Sequence, residues 1–219
     1  MVRWLILIST KSKSVSGVQV EVVEEPLTQA KGKKIGILGG TFNPPHLAHL
    51  MIAEQVASQL GLDKILFVPD YLPPHVDKKE AIAAEHRVEM VRLAIQGNPN
   101  FDLDLIEINR GGTSYSYDTV KALKEMHPEN DYYFIIGGDM VNYLPTWHEI
   151  DKLARMVHFV GVDRPEYERD AKYPIIWVDT PHFDLSSTMI REKVNKGCSI
   201  KYLVPEAVED YIREHHLYE

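Results

Sequence analysis

Short apolar runs alternate along most of the chain with stretches whose apolar residues recur at helical spacing. Runs at 35–38, 65–68, 101–106, 132–136, 157–162 and 175–178 predict strands; the stretches 46–60, 85–96 and 117–126 predict helices, and 140–155 predicts helical turns. Two further helices are predicted at 187–195 and 205–215, the latter with Pro205 suited to a first turn. Continuous apolar runs of four to six residues, rather than alternating ones, belong to strands buried on both faces. Together with the β-α rhythm they predict an α/β fold: a doubly wound parallel sheet with helices on both faces and C-terminal helices appended.

The first 33 residues do not share this pattern. Ser12, Ser14, Ser16 and Gly17 interleave with lysines, and a short alternating segment at 18–23 runs up to Pro26. The expected organisation is therefore an extension at 1–33 and one domain at 34–219. The apolar burst from Met1 to Ile8 is too short to span a bilayer and leads into Lys11 and Lys13 rather than a small-residue cleavage site, so export is not expected.

Charge narrows the partners. The 219 residues carry 24 basic and 32 acidic side chains, a net charge of −8. The extension holds five basic and three acidic residues, which leaves the domain at −10. A nucleic-acid partner needs a basic face, so none is expected. Small phosphate ligands remain open, because a few local cations and backbone N–H groups suffice for them. Cys198 is the single cysteine, which removes intramolecular disulfides and cysteine clusters and points to the cytoplasm.

Open parallel sheets bind ligands beyond the carboxyl ends of their strands. The first such loop reads Gly39-Gly40-Thr41-Phe42-Asn43-Pro44-Pro45-His46-Leu47-Ala48-His49. Paired glycines allow close backbone approach, and the start of a helix attracts an anion. His46 and His49, three apart at that helix start, fall on one face and can place two donors on one phosphate. Neither the P-loop spacing nor the dinucleotide Gly-x-Gly-x-x-Gly is present. Taken alone, a His-x-x-His pair is more often a solvated face; the adjoining Gly-Gly-Thr-Phe loop shifts the balance toward a site.

This loop resembles the first signature of the His-x-Gly-His nucleotidyltransferases, a superfamily with Rossmann-like sheets that includes class I aminoacyl-tRNA synthetases and small adenylyltransferases. Here Ala48 stands where the superfamily has glycine. Ser186-Ser187-Thr188-Met189-Ile190-Arg191 is similar to its second signature, which grips the ATP triphosphate. Three further blocks, at 114–119, 136–140 and 145–147, narrow the resemblance to bacterial nicotinate-nucleotide adenylyltransferases.

By that resemblance, ATP would be bound by Gly39, Gly40, Thr41, Phe42, His46, His49, Gly137, Asp139, Ser187, Thr188 and Arg191, with His46, His49 and Arg191 catalytic. Nicotinate mononucleotide would be held by Tyr115, Ser116, Trp147 and His148, with Lys78 facing its phosphate. Without the family, Trp147 beside a proline reads as packing, and Asp139 and the Ser-Ser-Thr run read as helix caps. The implied reaction joins the mononucleotide to AMP. Mg²⁺ is implied as cofactor, carried by the ATP phosphates with no protein-built metal site, and no membrane is involved. A homo-oligomer is compatible with the sequence. The rival readings are another small adenylyl- or cytidylyltransferase, such as the pantetheine-phosphate enzyme, and a nucleotide-binding module without turnover. A tRNA-binding synthetase fragment conflicts with the charge of −10.

Overall fold

A computed structural model describes residues 32–73, 81–162, 172–181 and 183–219, apart from the side chain of Asp139. The extension through residue 31, with its 18–23 segment, and Lys78 lie outside the described residues.

Six strands form one sheet: β1 (Lys34–Gly40), β2 (Lys64–Pro69), β3 (Phe101–Leu103), β4 (Asp131–Gly137), β5 (His158–Val162) and β6 (Ile175–Val178). Their order is β3-β2-β1-β4-β5-β6, and every pairing is parallel. This is the doubly wound Rossmann order. Its connections diverge at the β1/β4 boundary, where a crevice opens past the strand ends.

Helices α1 (Leu47–Leu60) and α2 (Ala84–Ile95) cover one face, with Ala53, Val56 and Val91 packed on Leu38, Ile65 and Phe67. On the other face, α4 (Ser116–Met126) and α6 (Ile150–Leu153) bury Val120, Leu123 and Leu153 against Ile35, Ile37 and Phe134. A third cluster joins α2 to α7 (Ser187–Asn195) and α8 (Glu206–Glu214) through Met90, Ile190, Val208 and Ile212. The expected fold class, with both faces covered and the last helices appended, is thus observed. Gly61 ends α1 in the left-handed region (φ 61°), where its N–H reaches the Ala57 carbonyl.

Two stretches differ from expectation. The strand predicted over 101–106 stops at Leu103, and α3 (Ile106–Arg110) follows. The cause is Asp104, whose Oδ1 accepts the Ile106 N–H at 2.9 Å and turns the chain out of the sheet. The helical stretch at 140–155 is three short pieces: α5 (Gly138–Val141), a 3₁₀ turn (Leu144–Thr146) and α6. Pro145 has no N–H to continue a helix, and extended Trp147 and left-handed Glu149 (φ 51°) separate the last two.

Candidate active site

A cleft of about 540 Å³ opens at the carboxyl ends of β1 and β4. Gly39, Gly40 and Thr41 form one wall, with His46, Ala48 and His49 from the start of α1. Gly137 stands at the end of β4, and Ser186 and Ser187 open α7. Tyr115, Ser116, Trp147 and His148 line the same cleft. Two blocks widely separated in sequence, expected to serve different substrates, therefore share one space.

A Cβ built on Gly39 would find its nearest atoms, Phe134 Cζ and the Val68 carbonyl, 4.0 Å away. The missing side chain leaves ligand-accessible backbone rather than relieving a clash.

His46 caps α1 in an extended conformation, and its N–H donates to His49 Nδ1 at 3.1 Å. The rings stack with centroids 3.7 Å apart. Because Nδ1 of His49 is an acceptor, the neutral ring carries its proton on Nε2. Burial holds the His49 pKa well below the usual imidazole value, with the neighbouring His46 adding to the effect. Burial alone brings His46 down to about 4. Both are thus neutral N–H donors near pH 7. The buried Nδ1 of His46 has no partner among the described residues.

The α7 signature is tied to the first loop. Arg191 Nη1 donates to the Asn43 carbonyl at 2.8 Å, and its Nη2 to Thr188 Oγ1 at 3.1 Å. Ser187 donates to the Pro44 carbonyl at 2.8 Å. Ser186, not Ser187 or Thr188, is the N-cap, accepting the Met189 N–H. Tyr218 completes the joint by donating to Asn43 Oδ1 at 2.8 Å, and burial raises its pKa. Thr188 and Arg191 stand beside the cleft rather than among its lining residues.

Trp147 has the packing contacts expected of it without the family, meeting Phe134 and Phe159 edge-on at 5.8 and 6.4 Å, and it also borders the cleft. His148 packs its ring on Tyr115 with centroids 4.4 Å apart, which joins the 3₁₀ segment to the start of α4.

Phe42 departs from its expected place. Its side chain is 2% exposed and belongs to the core with Phe67, so only its backbone is left to meet a ligand. Asp139 lies in α5, with its carboxylate outside the described structure.

The sequence assigned no role to several cleft residues, among them Asp70, Glu107 and Ser114, the last known only as the start of the 114–119 block. Asp70 Oδ2 accepts from Thr41 Oγ1 at 2.7 Å, and Ser114 Oγ accepts the Tyr71 N–H at 2.9 Å. Thr119 donates to Glu107. Burial raises the pKa of both carboxyls, against the pull of these hydrogen bonds. Each bond joins segments 12 to 43 residues apart, and no local spacing encodes such a pairing.

Residues 37–193 match the cytidylyltransferase-like family model. A protein of Enterococcus faecalis named "Probable nicotinate-nucleotide adenylyltransferase" is 56% identical over 209 residues, 95% of each chain. One of the same name from Lactiplantibacillus plantarum is 56% identical over 207 residues, 94% of this chain and 98% of its own. With 209 residues aligned and only 186 lying after Lys33, the similarity reaches well into the segment read as an extension. The fold matches Plasmodium falciparum nicotinic acid mononucleotide adenylyltransferase complexed with NaAD, at a TM-score of 0.72 and 24% identity, over 85% of this chain and 97% of that one. A parallel sheet with a cleft at its switch point, and identity above one half over nearly the whole length, agree: the chain belongs to the nicotinate-nucleotide adenylyltransferase family.

Proposed function

We propose that this protein transfers the adenylyl group of ATP to nicotinate mononucleotide, forming nicotinate adenine dinucleotide and pyrophosphate, a step of NAD biosynthesis. The observation that carries this reading is the single cleft that brings the His46/His49 pair together with Tyr115, Ser116, Trp147 and His148.

An oxygen of the mononucleotide phosphate attacks the α-phosphorus of ATP. The bond from that phosphorus to the bridging oxygen of the β-phosphate breaks, and pyrophosphate leaves. The nucleophile is already an anion, so no general base is required, and the protein's task is alignment and stabilisation of charge. His49 supplies an Nε2–H donor whose orientation is fixed by the His46 backbone. His46 lies stacked beside it, and Arg191, anchored on Asn43, adds fixed positive charge at the same end.

Magnesium enters with ATP as part of the substrate and offsets phosphate charge. Gly137 and Asp139 at the end of β4 are assigned to the adenosine. A bound triphosphate would compete with the Pro44 carbonyl for the Ser187 hydroxyl. Trp147 is assigned to the pyridine ring, and the N–H groups of Ser116 and His148 to its carboxylate. Lys78 keeps its assignment to the mononucleotide phosphate on resemblance alone.

Residues 34–219 are taken as the catalytic unit. No helix among the described residues is long and apolar enough to cross a membrane, and a cytoplasmic setting suits the exposed thiol of Cys198. The test is mass analysis of products from ATP, Mg²⁺ and each candidate acceptor. Nicotinate adenine dinucleotide is expected; dephospho-coenzyme A from the pantetheine phosphate acceptor would move the protein to the rival activity.

A further inference from the structure

Arg87 takes no direct part in the site above, yet it is 2% exposed. Its Nη1 donates to the Thr41 carbonyl at 2.9 Å and lies 3.3 Å from Asp70 Oδ1, and its Nε donates to the Ile82 carbonyl at 3.3 Å. A buried guanidinium is costly to desolvate, and an apolar side chain would fill the position at less cost. Its partners indicate what the charge does.

Asp70 follows β2 directly. Its N–H donates to the Gly40 carbonyl at 3.0 Å, while its Oδ2 accepts the Thr41 hydroxyl at 2.7 Å. Thr41 is thereby held at both polar ends, the carbonyl by Arg87 and the hydroxyl by Asp70. In a trans peptide the C=O and the following N–H point in opposite directions. The Phe42 N–H therefore points away from the guanidinium, and it has no hydrogen-bond partner among the described residues. Phe42 also sits in the left-handed region (φ 49°), which a bulky side chain adopts only when its surroundings impose it. Its ring is fixed in the core, and the Arg87–Asp70 grip fixes the preceding peptide.

We propose that Arg87 is a positioning residue for adenylyl transfer. Through Thr41 and Asp70 it sets the Thr41–Phe42 peptide, and with it the Gly39-Gly40-Thr41 wall against which the ATP phosphates lie. This rests on the function proposed above. Arg87 is absent from the cleft lining, so it acts on the nucleotide through the loop rather than by contact. It also balances the Asp70 carboxylate, which does line the cleft and would otherwise repel phosphate.

The test measures binding of a non-hydrolysable ATP analogue by calorimetry, together with steady-state kinetics and thermal melting. Arg87→Met should weaken analogue binding about tenfold and lower kcat at least as much, with the KM for nicotinate mononucleotide within about twofold of wild type. Arg87→Lys keeps the charge but not the planar fork and should fall between. The double variant Arg87→Met/Asp70→Asn removes both charges and is expected to fold even where the single variant does not. It should still bind the analogue about tenfold more weakly, because the Thr41 carbonyl has lost its donor. A folded double variant with wild-type analogue affinity would overturn the proposal by reducing Arg87 to charge balance. An equal rise in both substrates' constants would also contradict it. Analogue binding needs no acceptor, so a wild-type protein inactive on nicotinate mononucleotide would sink the assigned reaction and leave this measurement decisive.

Discussion

The backbone N–H of His46 donates to Nδ1 of His49 across 3.1 Å, and the two imidazoles stack 3.7 Å apart. One histidine's main chain thus sets the tautomer of the other and leaves Nε2–H as the only ring donor His49 can offer a phosphate. Replacing His49 by alanine should lower kcat by about two to three powers of ten, as loss of a donor to transition-state charge commonly does, with a near-normal melting temperature. Turnover close to wild type in that variant would remove His49 from the mechanism.

The same pair couples folding to pH. In the unfolded chain both imidazoles protonate near pH 6.5, whereas in the fold His46 waits until about 4 and His49 is also held well below the usual value. Between those limits the unfolded state binds more protons, so this contribution is complete above pH 6.5 and is lost as pH falls. For His46 the loss approaches roughly 3 kcal/mol by pH 4. Asp70 and Glu107, whose pKa values are raised, act in the opposite sense at the acidic end. Comparison with His46→Gln isolates the histidine: between pH 6.5 and 4.5 the wild type should lose more denaturation free energy than the variant. Parallel profiles would contradict the buried neutral imidazole.

Trp147 is both wall and ligand candidate, and its two roles separate experimentally. Trp147→Ala should cost roughly 2–4 kcal/mol of stability, because Phe134 and Phe159 lose an edge-on partner, and should raise the KM for the mononucleotide more than that for ATP. Trp147→Phe keeps an aromatic face and should recover most of the acceptor KM. If both variants change only the ATP constant, the pyridine site lies elsewhere.

A chain beginning at Gly32 retains the Lys33 N–H bond to Asn130 and all of β1. It should melt and turn over like the full chain, as residues 34–219 are taken to be the catalytic unit. A drop in rate or a change in assembly would assign the first 31 residues a role, one with which their partial alignment to the relatives is compatible.

The sheet was legible because parallel strands buried on both faces leave largely continuous apolar runs, and the ligand-binding end was legible in the Gly39-Gly40 loop after the first of them, whereas the strand order and its β1/β4 switch point were not. The histidine pair was legible because a helix brings residues three apart onto one face. Asp104 was harder: Phe101-Asp102-Leu103-Asp104-Leu105-Ile106 alternates as a strand would, and only the side-chain bond from the Ile106 N–H shows that the second aspartate, unlike the first, ends β3. Phe42 was read with its loop, although its ring folds back into the core. Asp70, Arg87, Glu107 and Ser114 form their network across loops and helices, through contacts that exist only once the sheet has assembled.

The central claim is tested most directly by a coupled pyrophosphate assay with ATP and Mg²⁺, comparing nicotinate mononucleotide with its amide counterpart. N–H donors aimed at a carboxylate meet an opposing NH₂ when the amide binds, so the acid should react at a kcat/KM at least about tenfold higher. Equal efficiency with the two would contradict the carboxylate site, and no pyrophosphate from either would contradict the assigned reaction.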